Sequence, residues 1–238
     1  MDFEEAIRTV KNGKPILLYD CDGREEEIDL VTGAEYVTPE RVCQARRDAG
    51  GLVCVAVSHD VAEGLGLPFM VDMLNLAANQ YPILSRLDPS DIPYGDKPAF
   101  SITVNHRKTF TGITDNDRAL TISELAKLMH KTRNSGLSTD ALRKEFGANF
   151  RSPGHVHVLI ARDGLTETRK GHTEYSIALS EIADMTPAMM ICEMLDNHTG
   201  KALPKNTALQ YARTHDLPFI EGRDIIVAFQ ELQRSFSR

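Results

Sequence analysis

The sequence predicts a single α+β domain, a mixed β-sheet flanked by helices in a three-layer arrangement. Helical and strand patterns are interspersed along the whole chain rather than gathered into separate halves. Some strand patterns follow one another without an intervening helix, a step that a simple βαβ repeat does not take. No internal repeat, low-complexity tract or linker divides the 238 residues, so residues 1–238 are expected to form one domain with its own core.

The elements follow in order. "FEEAIRTVKNG" is a short amphipathic helix closed by Gly13, and "KPILLYD" is an apolar strand. The acidic segment "DCDGREEEIDL" leads into a second strand, "IDLVTGAEYV". "TPERVCQARRDAGG" is a helix with Thr38 at the N-cap, Pro39 in the first turn and a glycine stop. "LVCVAVS" is a strand rich in β-branched residues. Five prolines between residues 60 and 98 predict irregular turns there. "FSITVNH" resumes a strand, and "TISELAKLMHKT" is a helix with a Thr121–Glu124 capping box. Residues 133–150 are expected to form a loop with one helical turn. "HVHVLIAR" is a strand, "GHTEYSIALSEIADM" a helix starting near His172, and "AMMICEML" a strand. "NTALQYARTHD", "LPFIEG" and "RDIIVAFQELQRSF" close the chain as helix, strand and helix.

Composition narrows the function classes. A net charge of −7 argues against a broad nucleic-acid surface and leaves room only for a local basic pocket that takes a small phosphate. No apolar run approaches the roughly 20 residues that cross a bilayer, and the acidic start "MDFEEAIRTV" is not a secretory signal. The four cysteines form no C-x-x-C pair and no zinc-ribbon spacing, which fits reduced thiols in a cytoplasm. The chain is therefore expected to be cytoplasmic, with neither a nucleic acid nor a membrane as partner.

Three stretches concentrate the chemistry. Residues 20–30 carry six acidic side chains and one Arg. Like charges so close repel unless a cation intervenes, and a hard divalent ion with oxygen ligands is the natural one. A solvated acidic loop is the plain alternative. If the segment is extended, Glu25, Glu27 and Asp29 face one side, and Arg24, Glu26 and Ile28 the other. In the second stretch, "RKGHT" before a helix offers a Gly turn, backbone N–H groups, an Arg and a Thr hydroxyl, which together suit a phosphate. His172 could equally be an ordinary helix-start residue, and His157, between Val156 and Val158 on a strand, reads as structural. In the third, Glu193 lies within the apolar "ICEMLD". Burial there would raise its pKa toward general acid–base use, whereas an exposed strand edge would not. Cys54 suits a packed core thiol, Thr111 and Gly112 a turn or a ligand contact, and "DNDR" a surface ion-pair cluster.

In their order along the chain these stretches resemble one family. D-x-D-x-R-E-x-E-x-D begins at Asp20, R-x-x-G-G-L-x-C ends at Cys54, and T-G-I-T-x-x-D-R begins at Thr111. R-x-P-G-H-V begins at Arg151, R-x-G-H-T-E at Arg169, and C-E-M at Cys192. Across about residues 5–230 the sequence resembles 3,4-dihydroxy-2-butanone 4-phosphate synthase. The resemblance implies a lyase of riboflavin biosynthesis that takes D-ribulose 5-phosphate to L-3,4-dihydroxybutan-2-one 4-phosphate and formate. It also implies Mg²⁺, with Mn²⁺ as the alternative and two ions per site, and a homodimer with its active site at the subunit interface.

Position by position, the resemblance matches Glu25 and His172 to metal ligands. It matches Arg24, Glu25, Asp29, Thr111, Arg169, Lys170, Gly171, His172, Thr173 and Glu193 to substrate contacts. His155 and Glu193 match positions essential for catalysis, and Glu27, Asp29 and Cys54 join them as acid–base candidates. The acidic segment is expected to act as a lid that orders on ligand binding. The 133–150 segment is longer than in short bacterial versions and resembles the archaeal form. Many bacterial relatives are fused to a GTP cyclohydrolase; no Cys cluster for that domain's zinc follows here, so a single activity is expected. The rival readings are another metal-dependent sugar-phosphate lyase or isomerase, a non-catalytic sugar-phosphate or metal sensor, and an acidic interaction module.

Overall fold

A computed structural model describes residues 3–93 and 95–236. Seven strands form one mixed sheet: β1 (Ile16–Tyr19), β2 (Ile28–Gly33), β3 (Cys54–Val57), β4 (Phe100–His106), β5 (Phe150–Ile160), β6 (Ala188–Glu193) and β7 (Phe219–Glu221). Their spatial order is β4-β5-β3-β6-β2-β1-β7. The β3–β5 and β1–β7 pairs are parallel and the others antiparallel, as expected for a mixed sheet. The helices are α1 (Phe3–Lys11), α2 (Pro39–Gln44), α3 (His59–Leu65), α4 (Met70–Ala77), α5 (Asp115–Asn134), α6 (Thr139–Asn149), α7 (His172–Ile182), α8 (Lys205–Thr214) and α9 (Gly222–Phe236).

The central strands are apolar at nearly every position because both faces of the sheet are covered. Alternation sends Leu18, Val31, Ala56, Met189 and Ile191 to one face, where Val10 of α1, Ile177 and Leu179 of α7 and Phe229 of α9 pack on them. Leu17, Leu30, Val55, Val158 and Met190 go to the other, under Val42 of α2, Val61 of α3, Ile122 and Met129 of α5 and Ala208 of α8. This is the three-layer arrangement expected.

Several local readings need correction. Residues 59–77 hold two helices, separated by the turn at Pro68. Their punctuation is present in the sequence, with Ser58 at an extended N-cap and Gly66 at a left-handed C-cap (φ 70°). Helix α5 starts six residues earlier than expected, because Thr114 caps it by accepting the Asp117 N–H. Thr121 therefore lies inside the helix. Its hydroxyl donates to the Asp117 carbonyl and accepts the His106 N–H, which ties α5 to the end of β4.

The 133–150 segment is mostly a three-turn helix rather than a loop. Arg143 of α6 donates to the carbonyl of Leu65 at the end of α3 (3.1 Å), and Lys131 pairs with Glu145 (2.6 Å). Phe146 stacks on Phe150 as β5 begins. These contacts make the segment a brace between α3, α5 and β5. No helix among the described residues is long and apolar enough to cross a membrane.

Candidate active site

The register of two strands begins the site. Asp29 of β2 faces Glu193 of β6 as a directly paired residue, and the preceding acidic segment closes over the end of the sheet at the start of α7. A cavity of about 600 Å³ opens there, lined by Arg24, Glu25, Glu27, Asp29, Asp96, Arg169, His172, Thr173 and Glu193 together with apolar residues that include Phe100, Leu159 and Ile191. Glu25, Glu27 and Asp29 all line it, and Glu26 is exposed. Arg24 was expected on the opposite side but lines the cavity too. The segment is not extended: Gly23 (φ 80°) and Glu26 (φ 56°) adopt left-handed backbone, which turns Arg24 inward.

Asp20, a residue missed as a candidate, organises this segment. It is 1% exposed at the end of β1. Its carboxylate accepts the backbone N–H of Glu25 (3.0 Å) and of Glu27 (3.1 Å) and lies 3.4 Å from Arg24 Nη1. Ligand-capable atoms of Asp20, Glu25 and His172 lie within 4.8 Å of one another.

His172, the first residue of α7, is buried. Its Nε2 lies 3.2 Å from the Glu27 carbonyl oxygen, which can only accept, so Nε2 carries a proton there. Nδ1 then faces Glu25 Oε2 at 3.4 Å. Burial alone would lower the imidazole pKa, but Asp29, Glu25 and Asp20 prevail and lift it to about 9. Asp29 is lifted to about 7, mainly by burial, with Glu193, Glu27 and Glu25 adding and His172 opposing. Glu27 is also raised, by burial and by Glu25. Asp29 Oδ1 is buried and receives no hydrogen bond from the described residues.

This donor set fits a hard divalent cation: excess carboxylate charge, one imidazole nitrogen turned toward it, and an unsatisfied buried oxygen. Asp20, Glu25 and His172 could hold it.

Two guanidiniums stand among the acids. Arg24 reaches Glu25 (2.8 Å) and Asp96 (2.8 Å), and its guanidinium pKa is raised because these partners outweigh burial. Arg169 is anchored by Glu174, a fully buried carboxylate of α7 (2.6 Å), and lies 3.6 Å from Asp96. Gly171 lets the two guanidiniums crowd α7, since a Cβ there would strike Arg169 and come within 2.9 Å of Arg24. Thr173 contributes to the lining, whereas Lys170 is exposed outside it. Asp96 was also missed. It lies among Pro93 and Pro98, where no periodicity marks a residue as inward-facing.

Glu193 is only partly buried. Its Oε2 accepts the Leu52 N–H (2.8 Å), and a Cβ on Gly51 would stand 2.5 Å from that oxygen. The Gly50-Gly51-Leu52 run is thus the seat of this carboxylate. Cys54 lies buried on β3, and its thiol pKa is pushed well up by burial and by the charges of Glu193 and Asp29, so it stays protonated.

Besides Lys170, Gly171 and Cys54, two further predicted residues, His155 and Thr111, lie outside the cavity lining. His155 is exposed on β5, and Thr111 is exposed in the loop between β4 and α5. The N–H groups of Phe110, Thr111 and Gly112 all point at the Asp117 carboxylate, and Phe110 beside them is 95% exposed.

Comparisons with known proteins give the family. A relative from Methanothermobacter thermautotrophicus, a 3,4-dihydroxy-2-butanone 4-phosphate synthase, is 49% identical over 97% of this chain and 96% of its own. One of the same description from Archaeoglobus fulgidus is 46% identical over 98% and 96%. The fold is similar to a crystal structure of 3,4-dihydroxy-2-butanone 4-phosphate synthase in complex with two magnesium ions. That likeness has a TM-score of 0.77 at 27% identity and covers 98% of both chains. The family profile of 3,4-dihydroxy-2-butanone 4-phosphate synthase matches residues 4–228, and the chain belongs to that family.

Proposed function

We propose that the cavity converts D-ribulose 5-phosphate to L-3,4-dihydroxybutan-2-one 4-phosphate and formate, the lyase step of riboflavin biosynthesis, with the whole chain acting as one domain. One observation carries the reading. A single pocket gathers a cluster of carboxylates, one imidazole and two part-buried arginines, so it offers oxygen ligands for a cation and guanidiniums for a phosphate.

Arg169, Thr173 and the first N–H groups of α7 receive the phosphate, with Arg24 beside them. Gly171 gives the phosphate close approach, and Lys170 supplies charge at the entrance. Glu25, His172 and Asp20 would hold the divalent cation, Mg²⁺ or Mn²⁺, in up to two ions. A cation held there would supply Lewis-acid stabilisation to substrate oxygens. Asp29, lifted to about 7, takes up and returns protons near neutral pH, and Glu27, also raised, assists it. Glu193, held by Leu52, stands across the cavity floor for a later proton transfer. Cys54 contributes a neutral thiol beneath it.

His155 and Thr111 enter from a second copy of the chain. They project from the surface near β4, the edge strand of the sheet, beside the exposed Phe110. A homodimer with its sites at the interface gives both residues a cavity to complete. Such an enzyme works in the cytoplasm.

Carbon-13 NMR of products formed from uniformly labelled D-ribulose 5-phosphate tests the reaction. A four-carbon ketone phosphate with formate is expected, and conversion to another pentose phosphate would support an isomerase instead. Mixing inactive Glu25→Gln and His155→Gln chains tests the shared site. Regain of about a quarter of wild-type activity by random pairing of copies is expected, and no regain would place both residues in one copy's site.

A further inference from the structure

Asn105, at the end of β4, links His155 and Thr111. It is 4% exposed. Its Oδ1 accepts the backbone N–H of His155 at 2.8 Å, and its Nδ2 donates to the carbonyl oxygen of Thr111 at 3.4 Å. These two contacts fix which way the amide points. Swapped, its NH₂ would face an N–H and its oxygen would face a carbonyl. The third contact then has one meaning. Nδ2 lies 3.1 Å from Nδ1 of the His155 ring, and an amide NH₂ can only donate, so Nδ1 must accept. The neutral imidazole carries its proton on Nε2. Gly112 leaves room for this arrangement: it has φ +96°, and a Cβ there would overlap the Asn105 amide.

We propose that Asn105 is a positioning residue that holds His155 in the Nε2–H tautomer, so that His155 serves the reaction as a neutral hydrogen-bond donor to a substrate oxygen and not as the base that removes a proton. The inference rests on the reading, given above, that His155 reaches the substrate. A ring whose Nδ1 is engaged as an acceptor and whose Nε2 already bears hydrogen has no lone pair free to take a proton from carbon. It can polarise a carbonyl or hold a hydroxyl, and proton removal falls to the carboxylates Glu27, Asp29 and Glu193. The same amide grips the Thr111 carbonyl, so loop and ring keep a fixed spacing.

Long-range ¹H–¹⁵N correlation spectra of the ¹⁵N-labelled, Mg²⁺-loaded protein read the tautomer directly, with the His155 signals identified by their loss in His155→Gln. The expected result is a protonated Nε2 and a bare Nδ1. Asn105→Asp places a carboxylate oxygen at Nδ1 and is expected to move the proton there, lowering kcat about 100-fold while KM changes far less. Asn105→Leu is expected to give mixed tautomers and an intermediate kcat. A protonated Nδ1 with bare Nε2 in the wild type, or a tautomer unmoved in Asn105→Asp, would overturn the inference even where His155→Gln is inactive. Wild-type kcat in His155→Gln would instead overturn the underlying assignment of His155 to the reaction.

Discussion

Asp29 and Glu193 occupy directly opposed positions in the β2–β6 ladder, one on each side of the cavity floor. Carboxylates opposed across an antiparallel pair repel, and Asp29 is also almost wholly buried. A sheet tolerates this only if something offsets the charge. Here His172 lies 3.8 Å from Asp29, and the fitted cation would add to that.

The pairing predicts how stability varies with pH in chelated protein. Asp29 is raised from 3.8 to about 7. Between those values the folded protein keeps a proton that the unfolded chain releases, so stability falls as pH rises across this window. His172 is raised from 6.5 to about 9. Its contribution is fully present below pH 6.5 and is lost as pH rises toward 9, the same sign. Calorimetric melts in chelator should show a lower Tm at pH 9 than at pH 6.5, by an amount equivalent to roughly 1–3 kcal/mol. Saturating Mg²⁺ should flatten that slope, because a cation then balances the carboxylates in place of the protons.

Glu25→Gln removes a charge from the acidic cluster while keeping the side chain's shape. Activity at saturating substrate should fall about 100-fold or more, with Mg²⁺ binding by calorimetry weakened in parallel. Tm in chelator should shift by no more than the equivalent of about 1 kcal/mol, since relief of repulsion within the cluster offsets the lost pairing with Arg24 and His172. An unchanged kcat would separate the acidic segment from the chemistry.

Gly51→Ala tests the seat of Glu193. The added Cβ would stand 2.5 Å from both the Glu193 backbone oxygen and Oε2, and the backbone atom cannot simply swing aside. Urea unfolding should show a loss of about 1–3 kcal/mol, and kcat should fall because the Leu52 N–H no longer aligns the carboxylate.

Arg143→Ala tests the brace formed by residues 133–150. Loss of the bond to the Leu65 carbonyl should cost about 1 kcal/mol in denaturant melts. The formate-forming rate of the folded variant should stay within twofold of wild type, because α6 does not line the cavity.

Much of this was legible in the sequence, for identifiable reasons. Strands β1, β3 and β6 are apolar runs whose ends are marked by charge or glycine. Helix α7 starts at His172 because Gly171 punctuates it. The crowding of acids over residues 20–30 marks the acidic wall. Alternation could not single out Asp20, which lies across a turn, and it misplaced Arg24, because left-handed backbone at Gly23 and Glu26 breaks the period of two. Helices α3 and α4 were hidden by treating every proline as a break, although Pro68 falls between them. The outward position of His155 and Thr111 had no local signal. It follows from their place near the edge of the sheet, a property of strand order alone.

Formate release from D-ribulose 5-phosphate by the purified protein, measured with Mg²⁺ and again with chelator, tests the central claim most directly. The account predicts stoichiometric formate with the metal and none with chelator. Folded protein that binds Mg²⁺ yet releases no formate from this substrate would contradict it.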